Sequence, residues 1–205
     1  MKKILLTSLS VQSSAQAPSI NNSYGLGLGY LHAVMENAGF DIITKSFNDV
    51  DEVLAFNEVS RLLQEFSPDY FLIQIFTMTR AASYRMINFV KETYPQIKII
   101  IGGIHASVMW DQMLNHFPVD YVVIGEGEIT IIELLKALDS GSSVDNIKGI
   151  AYKRGSEVYR TVARPLIQNL DDLPFPKHEL FMEKGRTMAC LLTSRSCPFK
   201  CSFCC

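Results

Sequence analysis

Apolar residues in this chain follow two rhythms, and the alternation between them predicts the fold. Residues 3–9 form an apolar run that passes into Ser8, Ser10, Ser13 and Ser14, the pattern of a buried strand entering a loop. The lysines at the start and the short run after them do not make a convincing cleavable leader, so the segment reads as a strand. A long polar loop with Pro18 follows over 11–23. Residues 24–31 then open a helix that ends near Ala38 and Gly39. Residues 41–47 alternate as a second strand. Val53, Leu54, Val59, Leu62, Leu63 and Phe66 have helical spacing. Residues 70–76 are continuously apolar, as strands buried on both faces of a parallel sheet are.

The same alternation continues. Residues 80–94 predict a helix, 98–101 a strand, a helix follows to about His116, 119–124 predict a strand and 130–138 a helix. Five strands alternating with five helices predict an α/β fold: a doubly wound, five-stranded, mostly parallel sheet of the flavodoxin-like or Rossmann-like kind. Residues 147–162 read as a short β-ribbon turning at Arg154-Gly155, and 164–179, with Pro165, Pro174 and Pro176, as an extended linker. A small turn is expected over 181–186 and an apolar strand over 188–193. The expected organisation is an α/β domain over 1–142, ribbon and linker over 143–187, and the start of a further domain over 188–205.

The special residues gather at the carboxyl ends of the predicted strands, where open α/β sheets place ligands. They are the serine- and asparagine-rich loop, Thr77 and Thr79, Gly102-Gly103-Ile104-His105, and Gly125-Glu126-Gly127-Glu128. Gly25, Gly27 and Gly29, at alternate positions, let the opening of the first helix approach a neighbouring strand or a flat cofactor closely. The alternate glycines do not form the dinucleotide G-x-G-x-x-G fingerprint and no phosphate-binding P-loop is present. The first strand ends in serines, not the acidic residues of a phosphoryl switch. A flavin or a large corrin remain as candidates. Thr77 and Thr79 fit either ligand contact or helix capping, and Glu126 and Glu128 fit a helix start. His105 is expected to approach the ligand.

Composition narrows the function classes. Hydrophobic residues make up 48% and charged residues 20%, and the formal net charge is −2. That balance gives no electrostatic case for nucleic acid. No apolar run reaches the 18 residues that would predict a membrane span. All five cysteines fall within 190–205, which argues for a metal site in a reducing cytoplasm and against a disulfide scaffold. Cys197, Cys201 and Cys204 have the spacing C-x3-C-x2-C, suited to an iron–sulfur cluster; a structural zinc site would want a fourth ligand.

This loop, with Arg195, Cys197-Pro198 and the aromatic Phe203 before the third cysteine, resembles the cluster loop of the radical S-adenosylmethionine enzymes; Ser196 stands where that family often has glycine. The glycine turns, in their order with Leu170-Asp171-Asp172-Leu173-Pro174-Phe175-Pro176, resemble the cobalamin-dependent branch of that family. The resemblance implies a cobalamin-binding domain ahead of a barrel. It also implies a [4Fe–4S] cluster on Cys197, Cys201 and Cys204, S-adenosylmethionine on the cluster's open iron, an external electron donor and a small-molecule substrate. The implied cobalamin-binding residues are Leu26, Gly27, Gly29, Thr77, Thr79, Gly102, Gly103, His105, Gly125, Glu126 and Gly127, with Phe203 beside the cluster. The family's usual proline pair is replaced by Tyr24 and Gly25. There is no D-x-H-x-x-G motif, so the resemblance implies cobalamin without a protein histidine on cobalt. A barrel needs many residues beyond Cys205, and the chain is expected to be the front part of a longer enzyme, a methyltransferase or a cyclase. The alternatives are a cobalamin carrier without chemistry, and an enzyme whose first domain is a scaffold without cobalamin.

Overall fold

The computed structural model describes residues 2–11, 25–181, 190–197, 199, 201 and 202. The expected loop over 11–23 with Pro18, Tyr24, most of the expected turn over 181–186, Met188, Phe203, Cys204 and Cys205 lie wholly or mainly outside the described residues.

Strands β1 (Lys3–Val11), β2 (Asp41–Val50), β3 (Tyr70–Gln74), β4 (Lys98–Gly102) and β5 (Tyr121–Val123) are parallel, in the spatial order β2-β1-β3-β4-β5. The chain reverses direction across the sheet between β1 and β3, which makes a switch point there. Between the strands run α1 (Leu26–Asn37), α2 (Glu52–Phe66), α3 (Arg80–Thr93), α4 (Ile104–Val108), α5 (Trp110–His116) and α6 (Glu128–Ser140). The helix expected up to His116 is two helices, broken at Met109, whose φ of −102° and ψ of 22° depart from the helical basin.

The ribbon, β6 (Ile150–Arg154) and β7 (Glu157–Arg160), is not a separate appendage. Strand β6 pairs antiparallel with β5 and β7 with β6, so the five parallel strands become a seven-stranded mixed sheet. The linker carries two 3₁₀ turns, Leu170–Asp172 and His178–Leu180. The strand expected over 188–193 is absent from its described part, where 190–193 have no regular structure.

Strand side chains alternate between two faces, and each face builds its own core. Leu5, Leu9, Phe71, Ile73, Ile99, Ile101 and Val122 point toward α2, α3 and α5, meeting Val59, Leu63, Met86, Ile87 and Met113. Ile4, Leu6, Tyr70, Leu72, Ile100 and Val123 point toward α1 and α6, meeting Leu28, Met35, Ile131, Leu134 and Leu135. Burying each such side chain contributes about 1.5–3 kcal/mol. Helix α2 starts where Asp51 accepts hydrogen bonds from the Val53 and Leu54 amides at 2.9 and 3.4 Å.

Candidate functional site

The second core is not filled to the carboxyl end of the sheet. A cavity of about 640 Å³ opens there, between the strand ends and helices α1 and α6. Its floor is apolar: Leu6 from β1, Leu72 from β3, Ile100 from β4, Val123 from β5 and Ile131 from α6. Protein interiors are packed to near crystal density, so a hole of this size with an apolar floor is the shape of a ligand site. A second cavity of similar size lies at the opposite, amino ends of the strands. It is lined by Lys2, Asp69, Lys98 and Asp139 among others, a polar rim without the glycine turns.

Sequence reasoning placed glycines at the mouth, and most are there. Gly27, Gly102, Gly103, Gly125 and Gly127 line the cavity. A methyl group on Gly27 would lie 3.1 Å from Gln74 Nε2, and one on Gly127 would lie 3.3 Å from Leu31 Cδ2, so side chains at these positions would fill the entrance. Gly125 has φ +80° with open space where a Cβ would project. Gly103 differs. With φ +93°, its Cβ would sit 2.8 Å from the Ile75 carbonyl oxygen, so bare backbone is needed for β4 to turn beside β3.

Other predicted residues stand behind the walls. Leu26 does not line the cavity. Gly29 faces the linker: its Cβ would be 3.1 Å from Pro176 Cβ, and its carbonyl accepts from the Lys177 amide at 3.2 Å. The Thr79 hydroxyl accepts from the Phe76 amide and donates to the Phe76 carbonyl, at 3.3 and 3.2 Å, closing the turn before α3. His105 is buried with both ring nitrogens engaged, Nδ1 by Thr77 Oγ1 at 3.2 Å and Nε2 by Tyr84 Oη at 2.5 Å. Burial, reinforced by the positive charge of Arg80, pushes its pKa below the ordinary histidine value. Thr77 and His105 thus tie the β3 and β4 turns together outside the cavity lining.

The lining also contains residues not expected at the ligand, Gln74, Phe76, Ser107 and Leu192, together with Tyr30 of α1 and with Arg195 and Ser196, which the sequence singled out only as part of the cysteine motif. Ser107 Oγ accepts from the Gly125 amide at 3.0 Å, joining α4 to the β5 turn. Arg195 reaches from the cysteine loop. Its Nη2 donates to Glu128 Oε1 at 2.6 Å, its Nη1 lies 3.4 Å from Glu126 Oε1, and its guanidinium lies over the Tyr30 ring at 5.1 Å. Burial would lower the Arg195 pKa, but the two carboxylates outweigh it and hold the group above its ordinary value. Glu126 also accepts from the Ile167 amide through Oε2 at 2.6 Å. Glu126, expected at a ligand or a helix start, is therefore the knot between the β5 turn, the linker and the cysteine loop.

Of the cysteines, Cys190, Cys197 and Cys201 are free thiols on exposed positions. Cys197 and Cys201, two of the three cysteines in the C-x3-C-x2-C spacing, are thus exposed, and Cys197 follows directly on Arg195 and Ser196 of the cavity lining; sulfur side chains are the ligand type that suits iron–sulfur chemistry. Among the described residues no helix is long and apolar enough to cross a membrane.

Comparison with known proteins places this geometry. The chain is 33% identical over 208 residues to an uncharacterized methyltransferase of Pyrococcus horikoshii, covering 98% of this chain and 45% of that protein. It is 27% identical over 190 residues to an anaerobic magnesium-protoporphyrin IX monomethyl ester cyclase of Cereibacter sphaeroides, covering 86% of this chain and 30% of that protein. It therefore spans less than half the length of these relatives. The cobalamin-dependent S-adenosylmethionine radical enzyme OxsB, solved with aqua-cobalamin and S-adenosylmethionine bound, shares the fold. The TM-score is 0.71 at 18% identity, over 88% of this chain and 24% of that one. Residues 20–135 match the B12 binding domain family. That match takes in more than half of the chain and every glycine turn around the cavity, and the chain belongs to the B12 binding domain family.

Proposed function

We propose that the cavity at the strand ends holds cobalamin, and that the chain is the cobalamin-binding part of a radical S-adenosylmethionine iron–sulfur enzyme, a methyltransferase or a cyclase. One observation carries the reading: the apolar cavity is lined jointly by the glycine turns of the α/β fold and by Leu192, Arg195 and Ser196 of the cysteine loop. A corrin is wide and flat, and Gly27, Gly102, Gly103, Gly125 and Gly127 keep the backbone low around it. Leu6, Leu72, Ile100 and Ile131 offer an apolar slot for the dimethylbenzimidazole tail. Gly29, Thr77, Thr79 and His105 act through the walls they brace, and Leu26 is the first residue of α1, next to Gly27.

Cys197, Cys201 and Cys204 would hold a [4Fe–4S] cluster, with S-adenosylmethionine on its open iron and Phe203 beside it. Together these groups supply radical chemistry and methyl transfer, while the protein binds, orients and excludes water. The substrate is a small molecule, and the electrons come from an external donor. Five cysteines within residues 190–205 favour the reducing cytoplasm.

The test is a visible-absorbance titration with hydroxocobalamin in the dark, on the wild type and on Gly27→Trp and Val108→Trp. Gly27 and Val108 both line the cavity and are exposed, so an indole can enter without dismantling the core. The expected result is saturable binding by the wild type, weakened about tenfold or more in both variants, since an occluded pocket forfeits most of its buried contact. A wild-type chain that is folded by circular dichroism and binds no cobalamin would leave the scaffold alternative standing.

A further inference from the structure

Arg195 bridges the cavity mouth. Tyr30, under its guanidinium, belongs to α1, Glu126 belongs to the turn between β5 and α6, and Glu128 opens α6; all line the cavity. Its described neighbours Leu191, Leu192 and Cys197 are exposed, whereas the Arg195 side chain is only 17% exposed and Glu128 only 7%. A guanidinium can divide two donor sets between two carboxylates and lie flat on an aromatic ring at the same time; an ammonium cannot.

We propose that Arg195 is a positioning residue that clasps the cysteine loop onto the rim of the cavity, so that filling the cavity and seating Cys197 are thermodynamically coupled. The coupling follows from the shared wall. A ligand in the cavity touches Leu192, Arg195 and Ser196 as well as the glycine turns, so it binds the seated loop better than the released one. By linkage the seated loop then holds the ligand better. Glu126 adds the linker to the same unit through the Ile167 amide. The ligand half of this inference rests on cobalamin as the occupant.

The experiment uses the cluster-free chain with Cys190, Cys201, Cys204 and Cys205 changed to serine, carrying Arg195, Arg195→Lys or Arg195→Ala. The first readout is the mobility of an iodoacetamide-linked nitroxide on the exposed Cys197, read from its paramagnetic resonance line shape with and without hydroxocobalamin. The second is the rate of hydroxocobalamin release into a chase. Without ligand, the label is expected to be more mobile in Arg195→Ala than in the Arg195 chain. With ligand, the label in the Arg195 chain becomes less mobile and that in Arg195→Ala does not. Release from Arg195→Ala is about tenfold faster, within the usual range of coupling between sites. Arg195→Lys falls with Arg195→Ala, because charge alone does not rebuild the clasp.

A general loss of stability would loosen the label in both states without erasing the ligand dependence, and that pattern would overturn the proposal. Equal label mobility in the ligand-free Arg195 chain and Arg195→Ala would overturn it as well. A wild type that binds no cobalamin would refute the cavity's occupant and the coupling to it, while the ligand-free comparison still decides the clasp.

Discussion

Gly103→Ala and Gly125→Ala make a matched pair, because both glycines have positive φ and both line the cavity, yet only one is hemmed in by backbone. Gly103 has φ +93° and ψ 176°, a region that is nearly exclusive to glycine, and placing alanine there costs about 1–3 kcal/mol in strain. The added Cβ would also lie 2.8 Å from the Ile75 carbonyl oxygen and 3.1 Å from the Ile75 amide nitrogen. Those atoms cannot step aside freely: the Ile75 amide donates to the Gly102 carbonyl at 2.8 Å and its carbonyl accepts from the His105 amide at 3.2 Å. Relieving such an overlap costs about 1–3 kcal/mol more. Gly125, with φ +80° and nothing within 4 Å of its added Cβ, incurs only the left-handed cost of about 1–2 kcal/mol. The expected gap is about 2 kcal/mol, which at ordinary urea slopes separates the two unfolding midpoints by about 1 M. Equilibrium urea unfolding followed by circular dichroism measures it. Equal midpoints, or a lower midpoint for Gly125→Ala, would refute the argument that backbone crowding between β3 and β4 demands glycine.

Two further outcomes follow from charge and capping. Burial lowers the pKa of His105 with help from Arg80, and burial lowers that of His32 against the opposing charge of Glu36. Each imidazole binds fewer protons folded than unfolded, so its stability is full above the unfolded value of about 6.5 and is lost as pH falls through it. The urea midpoint is expected to drop between about pH 7.5 and 5.5. The drop should shrink in a His32→Gln, His105→Gln double variant; an unchanged slope would contradict the assignment. Asp51→Ala removes the acceptor at the start of α2 and should cost about 1 kcal/mol in the same assay, with Asp51→Ser recovering most of it.

The parallel strands were legible because β1, β3, β4 and β5 carry apolar runs bounded by turn residues and β2 alternates, and the glycine turns because their composition is unusual at a strand end. What escaped depends on contacts distant in sequence. Strand β6 joins β5 through backbone hydrogen bonds between Val123 and Ile150 and their neighbours, which no local pattern encodes. His105 carries the chemistry of a ligand contact, but Tyr84 arrives from α3 and occupies Nε2. Gly29 repeats the spacing of Gly27, yet two residues along a helix turn the backbone to the other side, where Pro176 packs. Arg195 was legible as part of the cysteine motif, but its carboxylate partners lie 67 and 69 residues away.

The central claim is that cobalamin occupies the cavity at the carboxyl ends of the strands. Amide hydrogen exchange, measured with and without hydroxocobalamin, tests it segment by segment. The account predicts slowed exchange over the lining segments 27–31, 72–76, 101–108 and 123–128 and over 192–196, with 63–69 and 94–98 around the opposite cavity unchanged. Slowing confined to that opposite cavity, or no slowing at saturating ligand, would contradict it.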